Sequence, residues 1–264
     1  MKLEGCSALI TGASAGIGRE FARQLAGRAK GLALVARRLA RLEELRAELT
    51  RTNPALKVQI HSVDLSKHKS VSQLCEWLDR EQIDVDLLIN NAGLGDRGAF
   101  ATSDFGRVND MVQVNVVSLA LLTHKLLPAM IARKRGAILN VSSSASFLPI
   151  PGMGVYAATK AFVTSFSEAL RSEVREHGIT VSALCPGPVH TEFDSVARRA
   201  ADRRQPAPAF TYVPVEQVVR DALRGVESNR PIVIPGVAMK IGMSIARLTP
   251  MPLLRLASRF AAPR

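Results

Sequence analysis

The chain has 264 residues, 47% of them hydrophobic, enough for one sizeable core, and alternating strand and helix signals favour a single α/β domain over two. Its net charge of +12 is spread as arginine over most helices with few aromatics, which excludes a stacking platform for nucleic acid and leaves a generally basic surface. Cys6, Cys75 and Cys185 show neither a disulfide framework nor a metal-ligand spacing, so a reducing cytoplasm is expected, with no signal peptide, no metal and no segment long enough to span a membrane.

Ser7 to Ile10 reads as a first strand, and Thr11-Gly12-Ala13-Ser14-Ala15-Gly16-Ile17-Gly18 leads from it into a helix over Arg19 to Leu25. Glycines there let the backbone turn tightly and approach a pyrophosphate, whose charge the helix N-terminus favours. Gly31 to Ala36 is a second strand. In a dinucleotide fold an acid about 20 residues past the glycines would bind the ribose 2′-hydroxyl. Here that place falls near Ala36, and Arg37 and Arg38 follow it. A guanidinium pairs with a 2′-phosphate, so NADP(H) is preferred over NAD(H). The alternative is that the two arginines only begin the charged helix Leu39 to Leu49, which leaves the cofactor open.

Lys57 to His61 is a third strand, ending near Val63-Asp64-Leu65-Ser66. Asp64 is placed to accept a hydrogen bond from an adenine amino group, or equally to cap a helix that Val71 to Leu78 continues. Trp77 reads as core. Asp86 to Ile89 is a fourth strand leading into Asn90-Asn91-Ala92-Gly93, where small residues allow close approach and paired amides can tie neighbouring strand ends together. From Asn109 to Ile131 apolar residues recur at helical spacing with Asn115 among them. A buried amide without a partner costs about 1 to 3 kcal/mol, so Asn115 is either a satisfied packing residue or a functional one.

Gly136 to Val141 is a buried strand with Ser142, Ser143 and Ser144 at its carboxyl end, the edge where open α/β sheets bind ligands. Pro149, Pro151, Gly152 and Gly154 exclude a regular element directly after the serines. Tyr156 and Lys160 stand four apart in a helical segment, Tyr156 to Val174, and share one face of it. An adjacent cation favours phenolate over the free phenol pKa of about 10, and lowering it toward neutrality makes Tyr156 a general acid/base. Read alone, the same residues are equally an accidental spacing beside a solvated loop.

Ile179 to Leu184 is a sixth strand, stopped by Cys185-Pro186-Gly187-Pro188-Val189-His190-Thr191, with the Thr191 hydroxyl beside the expected cofactor. Residues Glu192 to Thr211 are charged, Ala-rich and Pro-punctuated, the composition of a mobile lid over a pocket, at about 190–212. Pro214 to Val226 is a helix, and Pro231 to Pro235 a last strand that closes a catalytic domain over 1–235. The tail, 236–264, is apolar and basic, with Lys240, Arg247, Arg255, Arg259 and Arg264 and no acid. Pro250 and Pro252 split it into two short amphipathic pieces. Such a tail packs on a partner subunit, lines a greasy substrate entrance or lies on anionic lipid as a peripheral membrane contact.

Seven signals in this order resemble the short-chain dehydrogenase/reductase family over roughly Leu3 to Thr191: Thr11-Gly12-x-x-x-Gly16-x-Gly18, Asp64, Asn90-Asn91-Ala92-Gly93, Asn115, Ser143, Tyr156-x-x-x-Lys160 and Pro186-Gly187. The resemblance implies a Rossmann-type, doubly wound sheet of seven parallel strands with helices on both faces. It also implies hydride transfer between nicotinamide and a carbonyl or alcohol. By similarity, Ser143, thirteen residues before the tyrosine, hydrogen-bonds the substrate oxygen, and Tyr156 gives or takes its proton. Lys160 holds the nicotinamide ribose and depresses the tyrosine pKa, and Asn115 anchors a water relay to Lys160. Cofactor contacts are expected from Gly12, Ser14, Gly16, Ile17, Gly18, Arg37, Arg38, Asp64, Leu65, Asn91, Ala92, Gly93, Tyr156, Lys160, Pro186, Gly187, Val189 and Thr191. The expectation is an NADPH-dependent reductase of a ketone or aldehyde on an apolar, acyl or steroid-like molecule, acting as a homodimer or homotetramer. The alternative is a non-catalytic NADP(H)-binding sensor or scaffold.

Overall fold

Short runs of Leu, Ile, Val and Ala, apolar on both faces, form the strands β1 (Ser7–Thr11), β2 (Gly31–Ala36), β3 (Lys57–Ser62), β4 (Leu87–Asn90), β5 (Gly136–Val141), β6 (Ile179–Leu184) and β7 (Ile232–Val233). The structure is a computed structural model and describes residues 2–199, 208–250 and 252–255. All six strand pairings are parallel, in the order β3-β2-β1-β4-β5-β6-β7. The doubly wound expectation therefore holds, and the order reverses at β1 and β4, whose carboxyl ends flank the crevice where such sheets bind ligands.

Alternation along each strand divides the core between two faces. Ala8, Ile10, Leu139 and Val141 point to one side, where they meet α1 (Gly16–Leu25), α2 (Leu39–Thr52) and α8 (Val215–Glu227). Leu9, Ile138 and Val181 point to the other and meet α3 (Ser70–Arg80), α5 (Leu119–Ala132) and α6 (Gly154–Glu173). Trp77 is buried in that second cluster and stacks on His61 at 4.8 Å, a packing residue as expected.

Five local features differ from the sequence reading. The helix expected from Asn109 begins as α4 (Phe105–Val112), because the Asp104 side chain accepts a hydrogen bond from the Arg107 amide at 2.7 Å. Between α4 and α5, residues Gln113–Ser118 form a π turn that carries Asn115. The whole run Phe105–Ala132 has the length and hydropathy of a bilayer-crossing segment, contrary to the expectation that none exists. Its place between β4 and β5, which pair in one sheet, and its buried Met111, Leu122 and Met130 make it a core helix of the fold.

After the serines there is a 3₁₀ turn, Ser144–Phe147, started by Ser143 Oγ accepting from the Ala145 amide at 3.1 Å. Asp64 does not cap α3, which starts at Ser70; it accepts from the Ser66 amide at 3.0 Å in a tight turn.

Of the expected lid, α7 (Glu192–Ala197) and a turn at Ala209–Thr211 are formed, and residues 200–207 lie outside the described residues. Of the tail, α9 (Val237–Leu248) is formed and ends just before Pro250, as the prolines require; Arg259 and Arg264 also lie outside the described residues.

Candidate active site

The turn between β1 and α1 is built against the end of β4. Thr11 Oγ1 accepts from the amides of Asn91 and Ala92, both at 3.0 Å, and Asn91 Nδ2 donates to the carbonyls of Thr11 at 2.9 Å and Gly12 at 3.2 Å. A methyl at Gly12 would lie 2.8 Å from Asn91 Nδ2, and one at Gly18 would collide with the Gly12 carbonyl and the Asn91 amide. Gly12 and Gly16 have φ of +68° and +52°, a region that side chains disfavour. Ala15, at the N-terminus of α1, offers no side-chain cap, so the first amides of the helix remain available to an anion. This cradle fits a dinucleotide pyrophosphate. Ile17 lies behind it, packed on the core.

The expected tie between strand ends is present one residue back. Asn90 Nδ2 donates to Asn140 Oδ1 at 2.9 Å and to Thr123 Oγ1 at 3.0 Å, and Asn140 Nδ2 donates to Ser167 Oγ at 2.9 Å. These buried amides bolt β4 to β5 and β5 to α6, so the cofactor turn and the catalytic helix share one frame.

At the carboxyl end of β5 the three serines separate by role. Ser142 Oγ is committed to the Lys160 carbonyl at 2.8 Å and the Thr164 hydroxyl at 2.7 Å. The Ser144 amide donates to the Pro186 carbonyl at 2.8 Å. Ser143, half-buried like Ser144, has its hydroxyl near the Tyr156 phenol, which it stabilises as phenolate. Tyr156 and Lys160 face the same way from α6, as the spacing requires, with Nζ 5.9 Å from the phenol ring centroid and donating to the Val141 carbonyl at 2.8 Å. A methyl at Gly93 would lie 3.4 Å from that Nζ and 3.5 Å from Asn115 Oδ1, so Gly93 is the gap in which they converge.

The electrostatics correct the expected tyrosine pKa. In the chain by itself burial dominates: it pushes the Tyr156 phenol up to about 12, with Ser143 pulling the other way, and the Lys160 ammonium down to about 8. The cation does not bring the phenol toward neutrality, because both groups are desolvated and Nζ is spent on a carbonyl. Asn115 is a satisfied residue as well: its side chain accepts from the Leu94 amide at 2.8 Å and donates to the Leu94 carbonyl at 2.9 Å and Thr159 Oγ1 at 3.0 Å.

Around the adenosine end, Arg38 rather than Arg37 borders the glycine turn, with Nη2 3.4 Å from Ser14 Oγ. Burial, which raises the Asp64 carboxyl, is outweighed by the Ser66 hydrogen bonds and to a smaller extent by the exposed Arg37 guanidinium, so the carboxyl is lowered. The Leu65 carbonyl accepts from Ser118 Oγ at 2.6 Å. Near the catalytic end, the Pro186 carbonyl is taken by Ser144 and Gly187 lies against Met239. Val189 packs on the core, His190 stacks on Tyr212 at 4.1 Å, and Thr191 caps α7. A cleft of about 500 Å³ lined by His190, Thr191, Asp194, Ser195 and Tyr212 lies along α7 and includes none of Asn115, Ser143, Tyr156 and Lys160.

The sequence reading named Thr11 only as the first position of the glycine signature and gave no role to Asn140, Thr159, Gly95 or Phe193. Phe193 packs on Tyr156 with ring centroids 5.5 Å apart, and Gly95 gives it room: a methyl there would lie 2.7 Å from the ring. Thr11 was detectable as the polar last residue of β1; the others depend on distant partners.

A family model described as short chain dehydrogenase matches residues 7–202. The chain is 39% identical over 183 residues to a very-long-chain 3-oxoacyl-CoA reductase of Laccaria bicolor, an overlap of 69% of this chain and 54% of that protein. It thus spans about half the length of that relative. It is 38% identical over 208 residues to the NADP-dependent 3-hydroxy acid dehydrogenase of Schizosaccharomyces pombe, covering 77% and 79% of the two chains. A solved short-chain dehydrogenase from Sphingobium yanoikuyae in complex with NADPH superposes with a TM-score of 0.79 at 31% identity, over 92% of this chain and 94% of that one. With its parallel sheet, glycine cradle and Ser143, Tyr156 and Lys160 at one strand end, the chain belongs to the short-chain dehydrogenase family, oxidoreductases that use a nicotinamide dinucleotide to interconvert an alcohol and a carbonyl.

Proposed function

We propose that the chain is an NADPH-dependent reductase of a ketone or aldehyde carried on a mostly apolar molecule, with Tyr156 as the proton donor. The observation that carries this is the convergence of Ser143, Tyr156 and Lys160 beside the cradle. The bound cofactor supplies the hydride; the chain supplies the rest. Ser143 orients the substrate oxygen, and Tyr156 delivers a proton to it from the phenol. A phenol held near 12 is fully protonated at neutral pH, which suits reduction. Lys160 binds a ribose hydroxyl once Nζ turns from Val141. A relay through Asn115 runs from its main-chain carbonyl, since the side-chain amide is taken.

Arg38 beside Ser14 supports NADP(H), and both relatives' names describe chemistry at carbon 3 of an acyl chain or acid, which favours a 3-oxoacyl substrate over a steroid-like one. A protein that only binds the dinucleotide has no use for Tyr156 and Lys160 together. The test is NADPH oxidation by the purified chain over a panel of 3-oxoacyl esters, ketones and aldehydes; no turnover with any of them overturns the reading in favour of a sensor or scaffold.

For location and assembly, α9 carries the relevant surface. Val237, Ile241, Ile245 and Leu248 form one stripe with exposures of 77%, 56%, 61% and 85%, Lys240 is exposed on the same helix, and no acid lies in 236–264. This supports a cytoplasmic enzyme lying on anionic lipid through α9. Co-sedimentation with anionic vesicles is lost on Ile241→Glu with Leu248→Glu; equal sedimentation of both proteins removes the contact. Exposed Phe105, Leu121 and Phe162 on α4 to α6 support a homodimer, and a monomer by light scattering removes it.

A further inference from the structure

Three consecutive residues reach three parts of the cleft. The Thr191 side chain would lie 3.1 Å from a methyl at Gly16, against the glycine turn. The Glu192 carboxylate accepts from Arg41 Nη1 at 2.6 Å and from Arg38 Nη1 at 2.9 Å. Phe193 lies on Tyr156. The guanidinium that takes one carboxylate oxygen is the one that also reaches Ser14. Two arginines at the start of α2 therefore converge on one anion beside the dinucleotide cradle, and that anion belongs to the chain itself.

We infer that Glu192 sets the cofactor selectivity of this chain: in the free protein it occupies, at Arg38 and Arg41, the place of a 2′-phosphate, so that NADP(H) binds by exchanging phosphate for carboxylate. The inference rests on the NADP(H) reading above. Two anions of like charge cannot share one pair of guanidiniums at hydrogen-bond distance without repulsion, so phosphate and carboxylate compete. The exchange also reaches the catalytic end, because Phe193 is the next residue. Releasing Glu192 from α2 frees the first turn of α7, while Asp194 and Arg199 still hold its far side to Arg97 and Asp96. NADH carries no 2′-phosphate, leaves the carboxylate in its ion pairs and leaves the Phe193 ring on Tyr156. Coupling of this kind is reciprocal, so the strength of the Glu192 pairs is subtracted from NADPH affinity alone.

The test is calorimetric titration of the full chain with NADPH and with NADH, for wild type, Glu192→Gln and Glu192→Asp. Glu192→Gln is expected to bind NADPH about fivefold more tightly, the scale of an exposed ion pair, with NADH within about twofold of wild type. The NADPH gain should shrink as salt rises. Glu192→Asp keeps the charge at shorter reach and should gain less, again for NADPH only; should the Gln variant melt before it can be titrated, this variant decides. A wild type that prefers NADPH, with variants that bind it no better or worse, overturns the competition and leaves the cofactor reading standing. A wild type that prefers NADH overturns both.

Discussion

At the glycine turn, Thr11 and Asn91 each hold the other's backbone with a side chain in a part-buried setting, and there is no space for even one added methyl at Gly18. By contrast, α7 is held by carboxylates on arginines, Glu192 to Arg38 and Arg41 and Asp194 to Arg97, and all of these side chains but Arg97 are about half in solvent. The first arrangement has one solution; the second is made of exposed pairs worth about 0 to 1 kcal/mol each, which a competing ion can replace. The contrast teaches that rigidity is placed at the turn carrying the family's glycine signature, and exchangeable contacts at α7, where the inference above places cofactor choice. Asp96 is the exception beside α7, buried and with its carboxyl lowered by the hydrogen bond from Arg199.

Four perturbations break or sharpen this contrast. Tyr156→Phe removes only the phenolic oxygen from the rigid side and should lower kcat by about 10² to 10⁴-fold with NADPH affinity within about twofold. Steady-state rates beside fluorescence titration check it, and retained turnover would remove the assigned role. Gly18→Ala forces a methyl into the Gly12 carbonyl and should weaken cofactor binding by about 10 to 100-fold, the scale of overpacking a close-packed site; unchanged affinity would mean the turn is looser than its contacts.

The pH profile comes next. Lys160 loses its proton near pH 8 while Tyr156 keeps its own to about 12, so kcat/KM for reduction should be level below pH 8 and fall above it, approaching tenfold per unit. A profile flat from pH 7 to 10 would detach Lys160 from the reaction. The smallest effect is expected on the exchangeable side. Gly95→Ala puts a methyl 2.7 Å from the Phe193 ring and 2.9 Å from Ala197, and α7 can shift in response. Substrate KM should change about two- to fivefold with the melting temperature nearly constant; a large loss of stability would show the lid to be as rigid as the cradle.

Much of this architecture was legible in the residues. β2 and β6 lie where the apolar runs put them, because a strand covered on both faces has few polar residues to blur its ends. The pairing of Tyr156 with Lys160 was legible because the two share a spacing on one helix. The π turn at Gln113–Ser118 was not, since the pull on Asn115 comes from Leu94 and Thr159, 21 and 44 residues away. The pKa of Tyr156 was misjudged for a similar reason: the spacing reveals the neighbouring ammonium but not the burial of both groups. Glu192 read as part of a charged mobile segment, because its partners stand 151 and 154 positions upstream.

The clasp between Thr11 and Asn91 joins residues 80 positions apart. A ribosome that has delivered β1 must therefore add all of β2, β3 and β4 before the glycine turn has anything to close on, an interval of about 4 to 16 s at ordinary elongation rates. Until then the nascent chain has helices but no nucleotide pocket, and a fragment released before Asn91 should retain no affinity for the dinucleotide.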